Sequence, residues 1–364
     1  MRAEAAGGLI LEGDPFARGR AQALAEPEMV DAVRAAVHGR LAQAKTLLTR
    51  PAIRRWLEEQ RRFTARDAPE ALAEIRGIAE GFELTEHELF AYLHLGIVAD
   101  LAAADGCTAF AMAAAADGPL LVKNRDFRGE HAGLQRVFRH RDPAWGGREL
   151  LCVGSLGSPG AYSSGMSSDG LALADTHIAT DDHGPGWLRY FLMTELLTSC
   201  ATVEAAVTRI EAMPHAGGGS LVLADRTGAL AVVELGHERI AVETATRGWL
   251  ARTNHFLSPA LAPRNLMVEG YDPMGATSRA RLATIRAALA RAGPTLDAEA
   301  ARAIMASHSD RDREGLCRHG QDGDARTIST AIFAPASKQL RLSAGPPCSS
   351  PWYRFGCPPP AGAG

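Results

Sequence analysis

The fold of this chain is decided by the stretch Asp105-Gly-Cys-Thr-Ala-Phe-Ala-Met112, followed by Asp117-Gly-Pro-Leu-Leu-Val-Lys-Asn-Arg-Asp-Phe127. Asp117-Gly118 lies between two short apolar runs, a pattern that predicts a β-hairpin with a tight turn. In such a hairpin the start of the first strand faces the end of the second, so Cys107 is predicted to lie beside Lys123 to Asp126. The hairpin therefore brings a thiol, a carboxylate and basic groups to one corner of a sheet.

The apolar periodicity differs on the two sides of Gly106. Before it, helical spacing predicts helices over Met29–Leu48, Ala52–Thr64, Pro69–Glu80 and Glu86–Asp105, the last opened by Thr85 and Glu88 as a capping box. After it, short apolar runs bounded by Gly, Asp and Pro predict strands over Thr108–Ala115, Leu120–Lys123, Glu149–Val153, Leu171–His177, Ser220–Ala224, Leu230–Leu235, Arg239–Glu243, Trp249–Thr253, Thr327–Ala334 and Gln339–Ser343. Further helices are predicted over Trp187–Cys200, Thr202–Ala212, Ser278–Ala292 and Ala298–Ser307. Helices flanking antiparallel strands indicate an α+β fold with sheets packed face to face under helices.

Composition excludes several classes of function. The 364 residues carry a net charge of −3, which gives no basis for a nucleic-acid partner or an anionic membrane surface. The first residues have no long apolar run and do not resemble a signal peptide. The run Leu93–Ala104 is too short and too interrupted to span a membrane. We therefore expect a cytoplasmic protein.

The six cysteines are scattered along the chain, at Cys107, Cys152, Cys200, Cys317, Cys348 and Cys357. No Cys-x-x-Cys pair is present, so the spacing predicts no zinc site. A chain of this size does not depend on a disulfide framework, and most of these residues are expected to be free thiols. Pairing of Cys348 with Cys357 stays open at this point.

Cutting the chain between Gly106 and Cys107 makes Cys107 a self-sufficient nucleophile. Its free α-amine, with a pKa near about 8, then serves as general base for its own thiol. Asp126 is expected to hydrogen-bond the amine and set its pKa, and Gly106 permits the strained backbone that an N-to-S acyl shift requires. The alternative is that Cys107 is an ordinary buried core thiol.

Pieces along most of the chain resemble the acyl-coenzyme A:6-aminopenicillanic acid (isopenicillin N) acyltransferase family, the C45 peptidase group of autoproteolytic N-terminal-nucleophile (Ntn) hydrolases. Besides the hairpin, the similar pieces are Gly13-Asp-Pro-Phe-Ala-Arg-Gly19, Glu74-Ile-Arg-Gly-Ile-Ala-Glu-Gly81, Gly165-Met-Ser-Ser-Asp-Gly-Leu-Ala172, Arg252-Thr-Asn-His-Phe256, Thr277-Ser-Arg279, Ser307-His308 and Leu316-Cys-Arg-His319. The resemblance implies a four-layer αββα fold with two stacked antiparallel sheets. It also implies a helical pro-segment, residues 1–106, that stays bound to a catalytic part, residues 107–364, after self-cleavage.

The resemblance assigns roles residue by residue. Cys107 matches the nucleophile, Gly106 the residue before the cut and Asp126 the carboxylate that holds the amine. Asn254 matches the oxyanion-hole amide and Arg279 an arginine that supports the site. The remaining candidates are a basic group near the nucleophile, a hydroxyl that follows it, and two departures from the family pattern in the oxyanion hole and the substrate pocket: Lys123, Thr108, Ser167 and Arg125.

The resemblance implies a cysteine Ntn enzyme that forms an acyl-enzyme from an amide or thioester and passes the acyl group to water or an amine. A role in secondary metabolism is one that it suggests. No metal or cofactor is expected; acyl-CoA or an acyl-carrier thioester is a candidate substrate. His177, His183 and Asp181-Asp182 are read as a solvated loop, and His308 and His319 as structural polar residues. The alternative is a non-catalytic binding or assembly protein with the same fold.

Overall fold

A computed structural model describes residues 8–98, 106–266, 275–293, 296–310, 313–320 and 325–357. The helices among these residues are α1 (Pro15–Ala25), α2 (Val30–Gln43), α3 (Lys45–Leu48), α4 (Pro51–Asp67), α5 (Pro69–Gly81), α6 (Glu86–Leu93), α7 (Leu95–Val98), α8 (Arg189–Ser199), α9 (Val203–Glu211), α10 (Gly275–Ala292) and α11 (Ala298–Met305). The strands are β1 (Leu9–Glu12), β2 (Gly106–Ala115), β3 (Gly118–Arg128), β4 (Gln135–Arg141), β5 (Glu149–Ser155), β6 (Ser164–Ser167), β7 (Leu171–His177), β8 (Gly219–Asp225), β9 (Leu230–Leu235), β10 (Ile240–Ala245), β11 (Trp249–Arg252), β12 (Ala325–Ala334), β13 (Gln339–Ser343) and β14 (Trp352–Gly356).

The strands form two sheets. The first has eight strands in the order β1-β4-β5-β6-β7-β8-β9-β10, and the second has six in the order β11-β2-β3-β12-β13-β14. The pairs are antiparallel except at the edge of the first sheet, where β1 runs parallel to β4. The predicted hairpin thus supplies the second and third strands of the six-stranded sheet.

Apolar side chains from the two sheets and the helices form three layers of core. One lies between the helices α1 to α9 and the eight-stranded sheet, with Ile75, Leu192 and Leu223 among its members. A second lies between the sheets and includes Ala109 and Val222. A third lies between the six-stranded sheet and α10 and α11. The layer order is therefore helices, sheet, sheet, helices, which is αββα.

Local signals explain several element boundaries. Gly118 has a φ of +98°, which glycine adopts without strain, and it closes the β2–β3 turn. Thr85 and Glu88 form the predicted capping box at the start of α6. Asp14 caps α1 through the backbone nitrogen of Ala17 at 2.8 Å.

The structure differs from the sequence prediction at several elements. The helix predicted over Glu86–Asp105 is interrupted at His94 into α6 and α7, and its residues 99–105 lie outside the described residues. The predictions missed β1, α1, β4, β6 and β14, four of which are short or polar and therefore lack a clear apolar period. None of the helices in the described ranges combines the length and the apolar composition needed to cross a bilayer.

Candidate active site

The β2–β3 hairpin positions the candidate nucleophile. Gly106 pairs with Asp126 and Cys107 with Arg125, so the predicted corner of thiol, carboxylate and basic groups is present. Side chains alternate along a strand, and Ala109 faces the core between the sheets while Phe110 faces α10 and α11. Cys107 and Arg125 therefore point between the sheets, whereas Thr108 and Asp126 point toward the helices.

The backbone of Cys107 is held from two sides. Its nitrogen donates a hydrogen bond to Asn254 Oδ1 at 2.9 Å, and its carbonyl oxygen accepts one from Arg281 Nη1 at 2.6 Å. Arg281 Nη1 also donates to Thr108 Oγ1 at 3.0 Å, and Arg281 Nη2 donates to Asn254 Oδ1 at 2.8 Å. A single buried guanidinium on α10 thus contacts the Cys107 backbone, Thr108 and Asn254.

Asn254 is fixed by its own neighbours. Its backbone nitrogen donates to Ser278 Oγ at 2.7 Å, which ties the segment after β11 to α10. Its Nδ2 donates to the carbonyl oxygen of His177 at 2.8 Å, at the end of β7. Since Oδ1 has two donors and Nδ2 has a carbonyl acceptor, the orientation of the amide is determined by its partners.

The arginine that contacts Cys107 is not the predicted Arg279. Arg279, predicted to support the site, is exposed on α10, and Arg281 makes the contact with Cys107. Two residues along a helix are separated by about 200° of rotation, so only one of these arginines faces the sheet. The two residues of α10 that face the site are Ser278 and Arg281, which lie three positions apart and therefore on one face of the helix. This spacing was the signal in the sequence that favoured Arg281.

Asp126 carries an unused acceptor at the bond before Cys107. Its Oδ1 accepts a hydrogen bond from Thr327 Oγ1 at 2.7 Å, while its buried Oδ2 has no partner among the described residues. A Cβ added to Gly106 would lie 3.2 Å from that Oδ2 and 2.6 Å from Arg318 Nη1. Burial raises the pKa of Asp126, and the charges of Arg281 and Arg318 oppose the rise.

Lys123 supplies positive charge on the face that carries Cys107. Its Nζ donates to the carbonyl oxygen of Ser163 at 3.1 Å and forms a buried ion pair with Asp175, which Arg189 Nε also contacts at 2.7 Å. Burial raises the pKa of the Cys107 thiol, and the charge of Lys123 opposes that rise more than any other group. Burial alone would raise the pKa of Asp175 as well, but the two cations lower it.

The two departures from the family pattern lie in different places. Arg125 is buried opposite Cys107, where its Nη1 donates to Gln135 Oε1 at 2.9 Å and to Ser155 Oγ at 3.1 Å. Ser167 pairs with Leu150, a member of the core under the outer helices, so its side chain faces away from the second sheet. The structure therefore brings Arg125 to Cys107 and does not bring Ser167 there.

Three residues lie in places that the sequence did not predict. His177 and Asp182 are buried rather than solvated, and Asp182 Oδ1 accepts a hydrogen bond from the backbone nitrogen of Glu238 at 3.2 Å. Arg318, within Leu316-Cys-Arg-His319, reaches Gly106 with its guanidinium. Each of these residues contacts a residue more than forty positions away in the sequence. Local spacing does not predict such contacts.

Four metal-ligand side chains also lie close together beyond Arg318, although the spacing of the cysteines predicted no metal site. They are His308, Cys317, His319 and Cys348. The closely spaced pair Cys317-x-His319 was the local signal, and its partners His308 and Cys348 come from other segments. None of the six cysteines forms a disulfide, and Cys348 lies beside Cys317 rather than Cys357.

Residues 113–348 match the family described as acyl-coenzyme A:6-aminopenicillanic acid acyl-transferase. The chain belongs to this family. Together with the four layers described above, membership makes it an Ntn-hydrolase-fold enzyme of the acyltransferase class. The matched region contains Asp126, Asn254 and Arg281 and begins after Cys107.

Similar solved structures have low sequence identity. Two mutant structures of the conjugated bile acid hydrolase from Clostridium perfringens have 11% and 12% identity and TM-scores of 0.45 and 0.46, covering 70% and 69% of this chain and 97% of theirs. Penicillin V acylase from Agrobacterium tumefaciens has 12% identity and a TM-score of 0.40, covering 68% of this chain and 85% of its own. No curated protein matches the chain.

Proposed function

We propose that the chain is an autoproteolytic cysteine Ntn enzyme, cut between Gly106 and Cys107, that transfers an acyl group from an amide or thioester to water or an amine. The observation that carries the proposal is the buried Oδ2 of Asp126 beside Gly106, which has no hydrogen-bond partner among the residues that the structure describes. A buried carboxylate oxygen without a donor is costly. The free α-amine of Cys107, formed by the cut, supplies the missing N–H.

The cut itself needs only the groups at the hairpin. The Cys107 thiol attacks the carbonyl carbon of Gly106, and the peptide C–N bond breaks as the thiol proton passes to the nitrogen. Water then hydrolyses the Gly106 thioester, which yields a Gly106 carboxylate and a free Cys107 thiol and amine. Arg281 holds the Cys107 carbonyl throughout, so the strand does not move as the bond breaks.

In the cut enzyme each group has one task. The α-amine accepts the thiol proton, Asp126 orients the amine, and Lys123 favours the thiolate. Asn254 Oδ1 continues to hold the nitrogen of Cys107, and one Nδ2 hydrogen stays on His177. The second Nδ2 hydrogen is the proposed donor to the oxyanion, an interaction worth about 3 kcal/mol of barrier.

Residues 1–106 are proposed to remain bound to residues 107–364 after the cut. Buried hydrogen bonds cross between the two parts, from Gln22 Nε2 to the carbonyl oxygen of Ser158 at 2.9 Å and from Gln60 Nε2 to that of Gly186 at 2.8 Å. The shared core under the outer helices adds apolar area. Six free cysteines favour the reducing cytoplasm as the compartment.

The decisive experiment compares wild type with Cys107→Ala and Cys200→Ala, since Cys200 is another buried free cysteine. We expect wild type and Cys200→Ala to give two bands on a denaturing gel, with a new N-terminus Cys-Thr-Ala-Phe, and Cys107→Ala to stay intact. A wild-type chain that stays intact and still turns over acyl substrates would contradict self-cleavage. An uncut chain inert to a thiol-reactive acyl probe would favour a non-catalytic binding protein.

Hydrolysis and acyl transfer are separated by a second measurement. An acyl-enzyme is formed from a labelled acyl thioester and divided between water and increasing concentrations of an amine. If the amide product grows with amine while the total rate of acyl-enzyme breakdown rises, the enzyme is an acyltransferase. If free acid dominates at every amine concentration, it is a hydrolase.

A further inference from the structure

Two cysteines and two histidines form a compact cluster outside the active site. His308 follows α11, Cys317 and His319 precede β12, and Cys348 lies between β13 and β14. One ligand atom from each of the four side chains lies within 4.8 Å of the others. Three segments of the chain thus meet at one point through groups that bind metals.

Four of the six distances within the cluster match the edges of a tetrahedron, and all six lie within 4.8 Å. The two Sγ atoms are 3.6 Å apart, the two Nε2 atoms are 3.3 Å apart, and His319 Nε2 is 3.4 Å from Cys317 Sγ and 3.3 Å from Cys348 Sγ. A tetrahedral ion with Zn–S of about 2.3 Å and Zn–N of about 2.05 Å requires edges of about 3.8, 3.3 and 3.6 Å for the same three kinds of pair. The agreement is within about 0.3 Å.

Hydrogen bonding alone does not account for this arrangement. His319 Nε2 has three close neighbours, Cys317 Sγ, Cys348 Sγ and His308 Nε2. A ring nitrogen carries at most one hydrogen or one lone pair, so it satisfies one of the three. A cation at the centre of the four atoms satisfies all of them at once.

We propose that His308, Cys317, His319 and Cys348 bind one Zn²⁺ ion. A tetrahedral set of two sulfurs and two imidazole nitrogens is a donor set that zinc favours, and soft thiolates disfavour the hard cations Mg²⁺ and Ca²⁺. Binding releases the two thiol protons to solvent, so Zn²⁺ with two thiolates and two neutral imidazoles forms an uncharged site. With four protein ligands the site is closed to substrate and is structural.

The ion would also act on the active site through the chain itself. Arg318 lies between the ligands Cys317 and His319, and its guanidinium reaches the backbone at Gly106. The backbone nitrogen of Arg318 donates to Thr327 Oγ1 at 2.9 Å, and the same hydroxyl donates to Asp126. Zinc therefore fixes a positioning residue, Arg318, beside the proposed cut and its carboxylate.

The test measures metal in the full-length, tag-free protein purified under reducing conditions. We compare wild type with Cys348→Ser and His308→Ala, and with Cys200→Ser and His87→Ala as controls, because neither control residue belongs to the cluster. We expect about one zinc per chain in wild type and controls, and a loss of Zn²⁺ affinity of at least about 100-fold in both cluster variants. At a Co²⁺ concentration that just saturates wild type, thiolate-to-cobalt charge-transfer absorption is expected in wild type and both controls and is expected to be lost or strongly reduced in the two cluster variants.

Two results would overturn the proposal. One is wild-type protein that holds no zinc after reconstitution, with intact-mass analysis showing a Cys317–Cys348 disulfide; this bond would need the sulfurs to close from 3.6 Å to about 2.05 Å. The other is zinc retained at wild-type stoichiometry by both cluster variants. Both readouts are independent of cleavage and turnover, so they stand apart from the proposed function.

Discussion

The side-chain oxygen of Asn254 accepts a hydrogen bond from the backbone nitrogen of Cys107 at 2.9 Å. The same oxygen accepts a second one from Arg281 Nη2 at 2.8 Å, so one acceptor links the strand of the candidate nucleophile to α10. The nitrogen in question is a peptide nitrogen before the proposed cut and an amine after it. The relationship therefore connects maturation and catalysis in one set of atoms.

Replacing Arg281 by lysine should impair the site, whereas replacing Arg279 should not. Arg281 makes three hydrogen bonds through two nitrogens, which the single ammonium of lysine cannot reproduce. We expect self-cleavage and acyl transfer to slow by about 10²-fold in Arg281→Lys and to stay within about twofold of wild type in the exposed Arg279→Lys. Cleavage half-times on a denaturing gel check this, and equal half-times for the two variants would refute the assignment of Arg281.

Asp126→Asn removes the charge that faces the amine and keeps the size of the side chain. A neighbouring carboxylate raises the pKa of an amine, so its loss should lower the pKa of the Cys107 amine by about one unit. Activity requires the neutral amine, and the acid limb of the pH–rate profile should therefore move to lower pH while the maximal rate falls by about 10²-fold. A profile with an unmoved acid limb would separate Asp126 from the amine.

Lys123→Met should make the thiol of Cys107 less reactive. Lys123 is the group that most strongly lowers the pKa of this thiol against the effect of burial, so without it the pKa rises further. We expect the pH midpoint of Cys107 alkylation by iodoacetamide to move up by about one unit, with the exposed Lys45→Met as control. An unchanged midpoint would mean that the ion pair with Asp175 is only structural.

Gly106→Ala should slow the cut by displacing Arg318. The added Cβ would lie 2.6 Å from Arg318 Nη1, and the guanidinium must move away from Asp126 to accommodate it. A misplacement on this scale costs about 10²-fold in rate. Gly39→Ala meets nothing within 4 Å and serves as the control, with cleavage at the wild-type rate and a small gain in stability from helix propensity.

His94 should make the protein less stable in acid. It is fully buried, its Nδ1 bonds the carbonyl oxygen of Phe90 at 2.7 Å, and burial lowers its pKa to about 4. The unfolded chain binds the proton first as pH falls below about 6.5, so this stability is present above that pH and is lost toward pH 4. From about pH 7 to about pH 5, wild type should lose about 2 kcal/mol of unfolding free energy more than His94→Asn in urea titrations. Parallel pH dependences for the two proteins would contradict a neutral His94 in the fold.

The parts of the fold that local chemistry determines were predictable. The Asp117-Gly118 turn identified the hairpin, and the antiparallel pairing placed Cys107 near Asp126 although an irregularity between Met112 and Ala115 shifts the register by one residue. The capping box of Thr85 and Glu88 likewise predicted the residue at which α6 begins. In both cases the signal and its consequence lie within about twenty residues, where chain geometry leaves few alternatives.

The parts that depend on packing between layers were not predictable. Arg281 rather than Arg279 faces the sheet because of the rotation of α10, which is set by the apolar contacts of Leu282 and Ile285. Cys348 meets Cys317 only because β12, β13 and β14 are neighbours in one sheet. A sequence offers the residue types for both sites, but the fold decides which of them meet.

The edge strand β1 gives the proposed cut a thermodynamic consequence. Before the cut, residues 9–12 return to β4 as part of one chain, and unfolding is a first-order process independent of concentration. After the cut, unfolding releases two molecules, so mass action applies and Tm rises with protein concentration. Refolding then becomes a bimolecular encounter in which the tether no longer supplies an effective concentration. The mature protein is therefore expected to refold poorly once it is unfolded and diluted, although the uncut chain folds at any concentration.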